Sequence, residues 1–168
     1  VHAVDAVHAV HDAAHAAEVL QAIVDRMGVT ARVTAADDGD HVALAIDGDA
    51  SGFLIGRHGQ MLDALEHLVG RIVARDEQHA VHLVVDANGY RERRRRSLEE
   101  TARHMAAEAR RRRRTVTLDA MSARDRRTVH LALQDEPGVT TRSSGDGLLR
   151  QVLIVPVNGP RRPRPARD

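Results

Sequence analysis

The acidic and basic residues of this chain are concentrated in different halves. Residues 1–86 contain 5 Arg and 14 acidic residues, a net charge of −9, whereas residues 87–168 contain 20 Arg and 10 acidic residues, a net charge of +10. Such a separation favours two modules, the second of which has a polyanionic partner. The alternative is a coding preference for Arg on solvated faces. That preference explains the absence of Lys but not the separation of the charges.

Both modules must build their cores from aliphatic side chains, because Phe53 and Tyr90 are the only aromatic residues of the chain. The chain has no Cys, which excludes disulfides and Cys-ligated metals and is compatible with a reducing cytoplasm. No apolar run approaches the roughly 20 residues of a membrane-spanning helix. We therefore expect no membrane insertion.

The first half alternates between helical and strand periodicity. Apolar spacing predicts a helix over 12–27, strands over 30–36 and 41–46, a short helix over 51–55, a helix from 60 to about 75 and a strand over 81–85. Residues 1–14 are low in complexity and are predicted to be a linker or an extension of the first helix. A metal site is the alternative function of this segment, since His8, His11 and His15 share one side of a helix, but no residue there completes a ligand shell.

The second half begins with a long helix, predicted over 88–114. Its apolar stripe is narrow, and part of its Arg excess should pair with Glu residues four positions away. A strand at 115–118 and a helix at 122–134 follow, and Ser122 with Asp125 resembles a capping box. Further strands are expected at 139–143 and 148–155. Residues 157–168, rich in Pro and Arg, are predicted to be a disordered basic tail.

A glycine-bracketed turn, Gly56-Arg57-His58-Gly59, separates two predicted helices. Glycines permit unusual backbone angles and remove the Cβ atoms that would keep a sugar–phosphate chain away. The following helix offers free N–H groups to a phosphate. A plain interhelical turn is the alternative interpretation. Besides the turn itself, the candidate RNA-contacting residues are Leu54, Ile55 and Gln60, with Val42 and Leu44 as groove candidates that more plausibly belong to the core.

A second motif, Arg126-x-x-x-His130, puts two potential phosphate ligands one helical turn apart. Arg127 and Arg142 are candidates for the same nucleic-acid contact. The motif alone is a weak signal, and a structural role in which His130 caps a helix or packs against the sheet is the alternative. The downstream segment 138–143 and the terminal strand strengthen the functional interpretation.

These motifs carry a family resemblance. Leu54–Leu65 resembles the GxxG segment of bacterial-type (type II) KH domains, and Ala120–Leu133 resembles the signature of the R-three-H domain, named for its Arg and His with three residues between them. From about 15 to 156 the chain resembles the bacterial Jag family, also called KhpB or SpoIIIJ-associated proteins. The resemblance implies an α+β chain of two small domains joined by a long helix: a KH domain at 15–87 and an R-three-H domain at 88–156.

The resemblance also implies a cytoplasmic single-stranded RNA-binding protein, with single-stranded DNA as a further candidate ligand. It implies links to cell elongation, division or sporulation, and a small single-KH protein or a second copy as candidate partners. A protein-assembly module, with RNA binding incidental, is the main alternative. No cofactor is expected, and neither is an enzyme: the chain has no P-loop, and its acidic residues lack the spacing of two-metal chemistry.

Overall fold

The chain divides into two compact units, Val1–Glu92 and Arg93–Asp168. The structure, a computed structural model, describes residues 2–37, 41–48, 51–74 and 82–157, without the side chains of residues 2–12, 37, 51 and 148. The predicted tail at 157–168 therefore lies outside the described residues except for Val157.

The first unit is built on a three-stranded mixed sheet. Strand β2 is antiparallel to β1 and parallel to β3, in the order β1-β2-β3. Parallel neighbours need a long crossover connection, which α2 and α3 provide here. The elements in chain order are α1 (His2–Arg26), β1 (Arg32–Asp37), β2 (Val42–Asp47), α2 (Ser51–Ile55), α3 (Gln60–Val73) and β3 (Leu83–Ala87).

The core of this unit is aliphatic, as the composition requires. Alternate residues of β2 and β3 are buried, and paired positions such as Leu44 and Val85 point to the same side. Helices α1 and α3 pack against this side and contribute Leu20 and Val69. The core consists of Ala13, Ala16, Leu20, Val24, Val42, Leu44, Ile46, Leu54, Leu62, Leu65, Val69, Val73, Leu83, Val85 and Ala87.

Helix α1 starts earlier than the predicted residue 12, because it begins at His2. Of the two interpretations of residues 1–14, the helical extension is therefore the one observed. His15 is exposed, and the side chains of His8 and His11 lie outside the described residues. Within the described residues no group of three metal-binding side chains is present.

The second unit contains an antiparallel sheet in the order β4-β6-β5. The predicted narrow stripe of α4 is buried at Leu98, Ala102, Ala106 and Ala109 and packs with β6 and α5. Helix α4 (Tyr90–Arg112) starts in the first unit and continues in the second. The elements that follow it are β4 (Val116–Thr117), α5 (Ala123–Ala132), β5 (Val139–Ser144) and β6 (Gln151–Pro156). The predicted α+β class and the long helix are confirmed.

The prediction of a strand starting at residue 148 was wrong. Residues Gly147–Leu149 form a short 3-10 helix, and β6 begins at Gln151. The turn is closed by the N–H of Leu149, which donates to the carbonyl of Asp146. Gly145 and Gly147 have φ angles of 90° and 52°, so the chain is still turning where apolar composition alone indicated a strand.

Candidate nucleic-acid interface

The loop at 56–59 connects α2 to α3 and faces solvent at three of its four positions. Gly56, Arg57 and His58 are exposed, whereas Gly59 is buried. Three of the four residues have left-handed backbone angles: φ is 65° at Gly56, 54° at His58 and 83° at Gly59. A non-glycine residue held at positive φ is uncommon and marks a backbone that its surroundings over-determine. The loop therefore presents an Arg and a His side chain on a sharply bent backbone.

The glycines are required by contacts within the protein. A Cβ atom on Gly56 would lie 2.8 Å from Cβ of Met61, and one on Gly59 would lie 2.8 Å from the Tyr90 ring. At Gly56 the angles φ 65° and ψ −168° belong to a region that is essentially restricted to glycine. From the sequence, the missing Cβ atoms are expected to make room for nucleic acid. The structure adds that the missing atoms make room for α3 and for Tyr90.

The groove predicted beside the loop needs one correction. Leu54 has no exposed surface and belongs to the core of the first unit, because α2 turns its side chain toward α3 and the sheet. It cannot also contact RNA. Ile55 is half-buried and Gln60 is exposed, so both remain available. Val42 and Leu44 are core residues, as the sequence favoured.

A network around Arg91 fixes the side of α3 that follows the loop. The Arg91 guanidinium donates to Asp63 and to Glu66 of α3, both at 2.9 Å, and its Nε donates to the carbonyl of Val85 at 2.6 Å. Glu66 also accepts from the N–H of Val85 at 3.0 Å. Arg91 thus joins α3, β3 and the start of α4.

The Arg126 and His130 pair lies between α5 and β5. Ser122 caps α5 by accepting from the N–H of Asp125, which confirms the predicted cap. The two side chains share one face of α5, as their spacing predicts. Nδ1 of His130 lies 2.7 Å from Oγ1 of Thr141, and Nε2 lies 2.9 Å from Oγ of Ser143.

Arg126 completes this cluster. Its Nη1 donates to Oγ of Ser143 at 3.3 Å, while its Nε is buried without a hydrogen-bond partner among the described residues. Burial and, secondarily, the charge of Arg126 lower the pKa of His130 below its ordinary value of 6.5. The imidazole is therefore neutral at neutral pH, and both of its nitrogens are engaged by hydroxyl groups. In this arrangement His130 packs against the sheet, the structural role that the sequence left open.

The stability of the second unit should fall on acidification because of His130. Its folded-state pKa lies below the unfolded value of 6.5, so the unfolded chain binds more protons as the pH drops below that value. The free energy of unfolding should decrease as the pH is lowered from about 7 through the folded-state pKa. Urea titrations followed by far-ultraviolet circular dichroism at several pH values measure this.

His130→Gln should flatten that pH dependence, because Gln keeps hydrogen-bonding groups but does not titrate in this range. Thr140→Gln is the control: it introduces Gln at an exposed position of β5 without removing a titrating group, so it should leave the pH dependence as it is. An unchanged pH profile in His130→Gln would contradict the assignment.

The four predicted residues of this motif do not form one cluster. Arg127 is exposed on α5, next to the buried face that carries Arg126. Arg142 lies on β5 between Thr141 and Ser143, and adjacent strand residues point to opposite sides of a sheet. Its exposed side chain therefore lies on the side away from Arg126 and His130.

Two family models match the chain in the predicted order: the KH domain of KhpA/KhpB over residues 14–85 and the R-three-H domain over residues 96–156. The RNA-binding protein KhpB of Clostridium symbiosum is 34% identical over 83% of this chain and 64% of that protein. Proteins with the same name from Lactiplantibacillus plantarum and Bacillus subtilis are 32% and 28% identical, over 82% and 80% of this chain and 43% and 66% of those proteins. The chain therefore contains a KH domain of the KhpA/KhpB type followed by an R-three-H domain. It spans between 43% and 66% of the length of these three relatives.

The sequence motifs did not indicate the supporting roles of Tyr90 and Arg91. Both residues are partly buried. The Tyr90 ring lies close to Gly59 of the loop, and Arg91 pairs with two carboxylates of α3. A signal was present, since Tyr90 is the only Tyr of the chain and follows the Asn88-Gly89 turn directly after β3. What the sequence could not provide is the approach of its ring to Gly59.

Ion pairs along α4 use part of its positive charge. Glu99 pairs with Arg95 at 2.5 Å and with Arg103 at 3.5 Å. Glu108 pairs with Arg111 and Arg112, and the hydrogen bond from Arg111 is the main cause of its lowered pKa. The predicted pairing within the helix is confirmed, yet Arg outnumbers acidic residues in this half of the chain by 20 to 10.

Among the described residues, no helix is long and apolar enough to cross a membrane.

Proposed function

We propose that this chain binds single-stranded RNA at the exposed loop 56–59 of its KH domain, and that the R-three-H domain adds phosphate contacts. The observation that carries the proposal is an exposed loop with positive φ at Gly56, His58 and Gly59, placed directly before the N-terminus of α3. Such a backbone can approach a phosphodiester chain closely, and KH loops of this type hold about four nucleotides. The name of the curated relatives supports RNA as the ligand.

The start of α3 is suited to an anion. Gly59 occupies the N-cap position and no side chain caps the helix, so its first N–H groups have no side-chain acceptor. Asp63 lies in the first turn, but its carboxylate is bound to Arg91. The N–H of Gln60 donates to the carbonyl of Arg57, so the helix dipole and the following N–H groups of the first turn favour a phosphate, without strong repulsion from Asp63.

The two domains should contribute unequally to affinity. The acidic half that contains the loop carries a net charge of −9, and the half that contains the R-three-H domain carries +10. Electrostatic attraction to phosphates supplies sequence-independent affinity, whereas base contacts supply preference. We propose that the R-three-H half supplies most of the electrostatic affinity and that the KH loop positions the strand.

The proposed contacts are distributed accordingly. In the KH domain they are made by the loop and by Ile55 and Gln60. In the R-three-H domain Arg126 and Arg127 contact phosphate, with His130 holding Arg126 through Ser143. Arg142 contacts a separate part of the strand, because it lies on the other side of β5.

The decisive variant is Arg57→Asp combined with His58→Asp in the full chain. Asp adopts left-handed backbone angles more readily than most residues, so position 58 should keep its conformation. Binding to a labelled single-stranded RNA of about 12 nucleotides, measured by fluorescence anisotropy, should weaken at least about tenfold, because the reversed charges repel the phosphates held at the loop. A single-stranded DNA of the same sequence tests the second ligand.

The matched control is His15→Asp combined with Arg26→Asp, which changes the same residue types at exposed positions of α1. This control should bind within about threefold of the unmodified chain, since only the diffuse field changes. Equal losses in both double variants would contradict a site at the loop. An RNA affinity that barely changes in the loop variant would instead favour the protein-assembly alternative.

A second candidate function, a protein contact made by the KH domain, is favoured by a specific observation. Leu68 and Ile72 of α3 are one helical turn apart and are exposed to 46% and 51%. A neighbouring pair of exposed aliphatic residues is a feature of protein interfaces. A second copy of the chain or a small single-KH protein are the candidate partners.

Leu68→Glu with Ile72→Glu separates the two functions. If the pair forms an interface between copies, the double variant should shift the mass measured by light scattering to that of a monomer, with RNA affinity unchanged. If the unmodified chain is already monomeric, a homodimer is excluded. In both proposed functions the chain acts by binding and not by catalysis. The cytoplasmic location and the links to cell elongation, division or sporulation stay predictions.

A further inference from the structure

Phe53 is the only Phe of the chain and lies on α2, three residues before Gly56. Its side chain is 60% exposed. The other exposed large apolar side chains among the described residues are aliphatic, at Leu68, Ile72, Leu131, Leu149 and Val157. An isolated exposed apolar residue is ordinary on a protein surface. An exposed aromatic ring beside a candidate nucleic-acid loop is chemically more specific, because it offers a flat face to a base.

The local fold holds Phe53 outward. Leu54, the next residue, is completely buried, so the rotation of α2 that places Leu54 in the core turns Phe53 toward solvent. The helix is closed by the N–H of Gly56, which donates to the carbonyl of Gly52 at 3.4 Å. A Cβ atom on Gly52 would meet nothing within 4 Å beyond its two chain neighbours, so α2 is open at the position that precedes Phe53.

Both aromatic residues of the chain flank the loop. Tyr90 supports Gly59 from the protein side, while Phe53 lies on the solvent side ahead of Gly56. Three residues of chain span at most about 11 Å, so the ring stays within reach of the roughly four nucleotides that a KH loop contacts. The surroundings are acidic overall, which disfavours phosphate contacts away from the loop but has no effect on an uncharged base face.

We propose that Phe53 stacks on one base of the single-stranded RNA held at loop 56–59. This inference rests on the proposed function and adds a base-contacting residue to it. Stacking on an aromatic side chain tolerates every base, because every base has a π face. Phe53 would therefore raise affinity with little sequence preference, and its contribution would be independent of salt.

The absence of Trp from the chain makes a direct test available. Phe53→Trp introduces a single Trp, whose fluorescence should be quenched when a single-stranded RNA of about 12 nucleotides binds, with affinity retained or improved. Thr34→Trp is the control at an exposed position of β1 in the same domain and should show little quenching. Phe53→Ala should weaken binding by about 5- to 100-fold.

Salt dependence separates stacking from charge. Phe53→Ala should lower affinity by the same factor at low and high salt, whereas a loop charge variant should also reduce the slope of log affinity against log salt, by about 0.7 for each lost phosphate contact. Thermal unfolding should be unchanged in Phe53→Ala, since the ring is mostly exposed.

The outcomes distinguish the inference from the function on which it rests. If the unmodified chain binds RNA while Phe53→Ala binds equally well and Phe53→Trp is not quenched, the stacking role is wrong and the loop site stands. If the unmodified chain does not bind RNA, both fail. If Phe53→Ala alters only the oligomeric state, the ring is a protein contact and the inference is overturned.

Discussion

Replacing Gly56 with Ala is expected to destabilise the KH domain by about 2–4 kcal/mol and to remove most of its RNA binding. The added Cβ would lie 2.8 Å from Cβ and 3.2 Å from the backbone N of Met61. These atoms belong to α3 and cannot move aside without shifting the helix. The φ of 65° and ψ of −168° are also unfavourable for Ala. Strain and overlap therefore act together at this residue.

Gly52→Ala is the matched control for that substitution. Gly52 lies in the same short helix, has no positive φ, and a Cβ there would meet nothing within 4 Å. Ala should be neutral or stabilising by up to about 1 kcal/mol, because it loses less backbone entropy on folding.

The unfolding of the first unit can be followed through its single Tyr in these experiments. Tyr90, the only Tyr of the chain, lies in the first unit with its ring close to Gly59, so its fluorescence during urea titration reports on the packing around the loop. RNA binding is then measured at a urea-free condition in which the variant is still folded. Equal stability of Gly56→Ala and Gly52→Ala would contradict the steric account of the loop.

The order of helices and strands was predictable because the periodicity of apolar residues survives in a chain with so few aromatics. Alternation at Val42, Leu44 and Ile46 predicted β2, and the core of the first unit confirms that side as the buried one. The capping pair Ser122 and Asp125 predicted the start of α5 from local chemistry alone. Local signals of this kind do not depend on the rest of the fold.

The errors arose where composition and tertiary position disagree. Leu54 looked like a groove residue because it adjoins the loop, but the direction of a five-residue helix is set by what packs against it. The strand predicted from Leu148 begins at Gln151, since the chain continues to turn after Gly147. Apolar composition cannot distinguish a strand from the turn that precedes it.

The arrangement around the two motifs also depended on tertiary contacts. The spacing of Arg126 and His130 predicted that they share a helix face, but not that both would bond to Ser143. Likewise, Arg142 lies on β5 between Thr141 and Ser143, the two residues that contact His130. Because strand side chains alternate, Arg142 points to the opposite side of the sheet. Which of these side chains lie on the same side of the sheet therefore follows from the strand register and not from the sequence spacing of the motif.

Replacing Arg91 with Ala is expected to destabilise the KH domain by about 2–4 kcal/mol. The Arg91 side chain is only 17% exposed and neutralises Asp63 and Glu66, whose side chains are 31% and 19% exposed. Removing it leaves two close carboxylates in a half-buried site without their shared cation. It also removes the hydrogen bond to the carbonyl of Val85. Loss of one partner from a partly buried ion network costs more than the network contributes by being present.

Arg95→Ala is the matched control on the same helix, because Arg95 is 50% exposed and forms an ion pair with Glu99 one turn away. It should cost no more than about 0.5 kcal/mol. Urea unfolding followed by Tyr90 fluorescence compares the two variants directly. In Arg91→Ala, conversion of Asp63 and Glu66 to Asn and Gln should restore part of the lost stability, since the two negative charges that shared the Arg91 guanidinium are then removed. If Arg91→Ala were as stable as Arg95→Ala, Arg91 would not hold α3 in place. The support of the loop would then come from Tyr90 and the core alone.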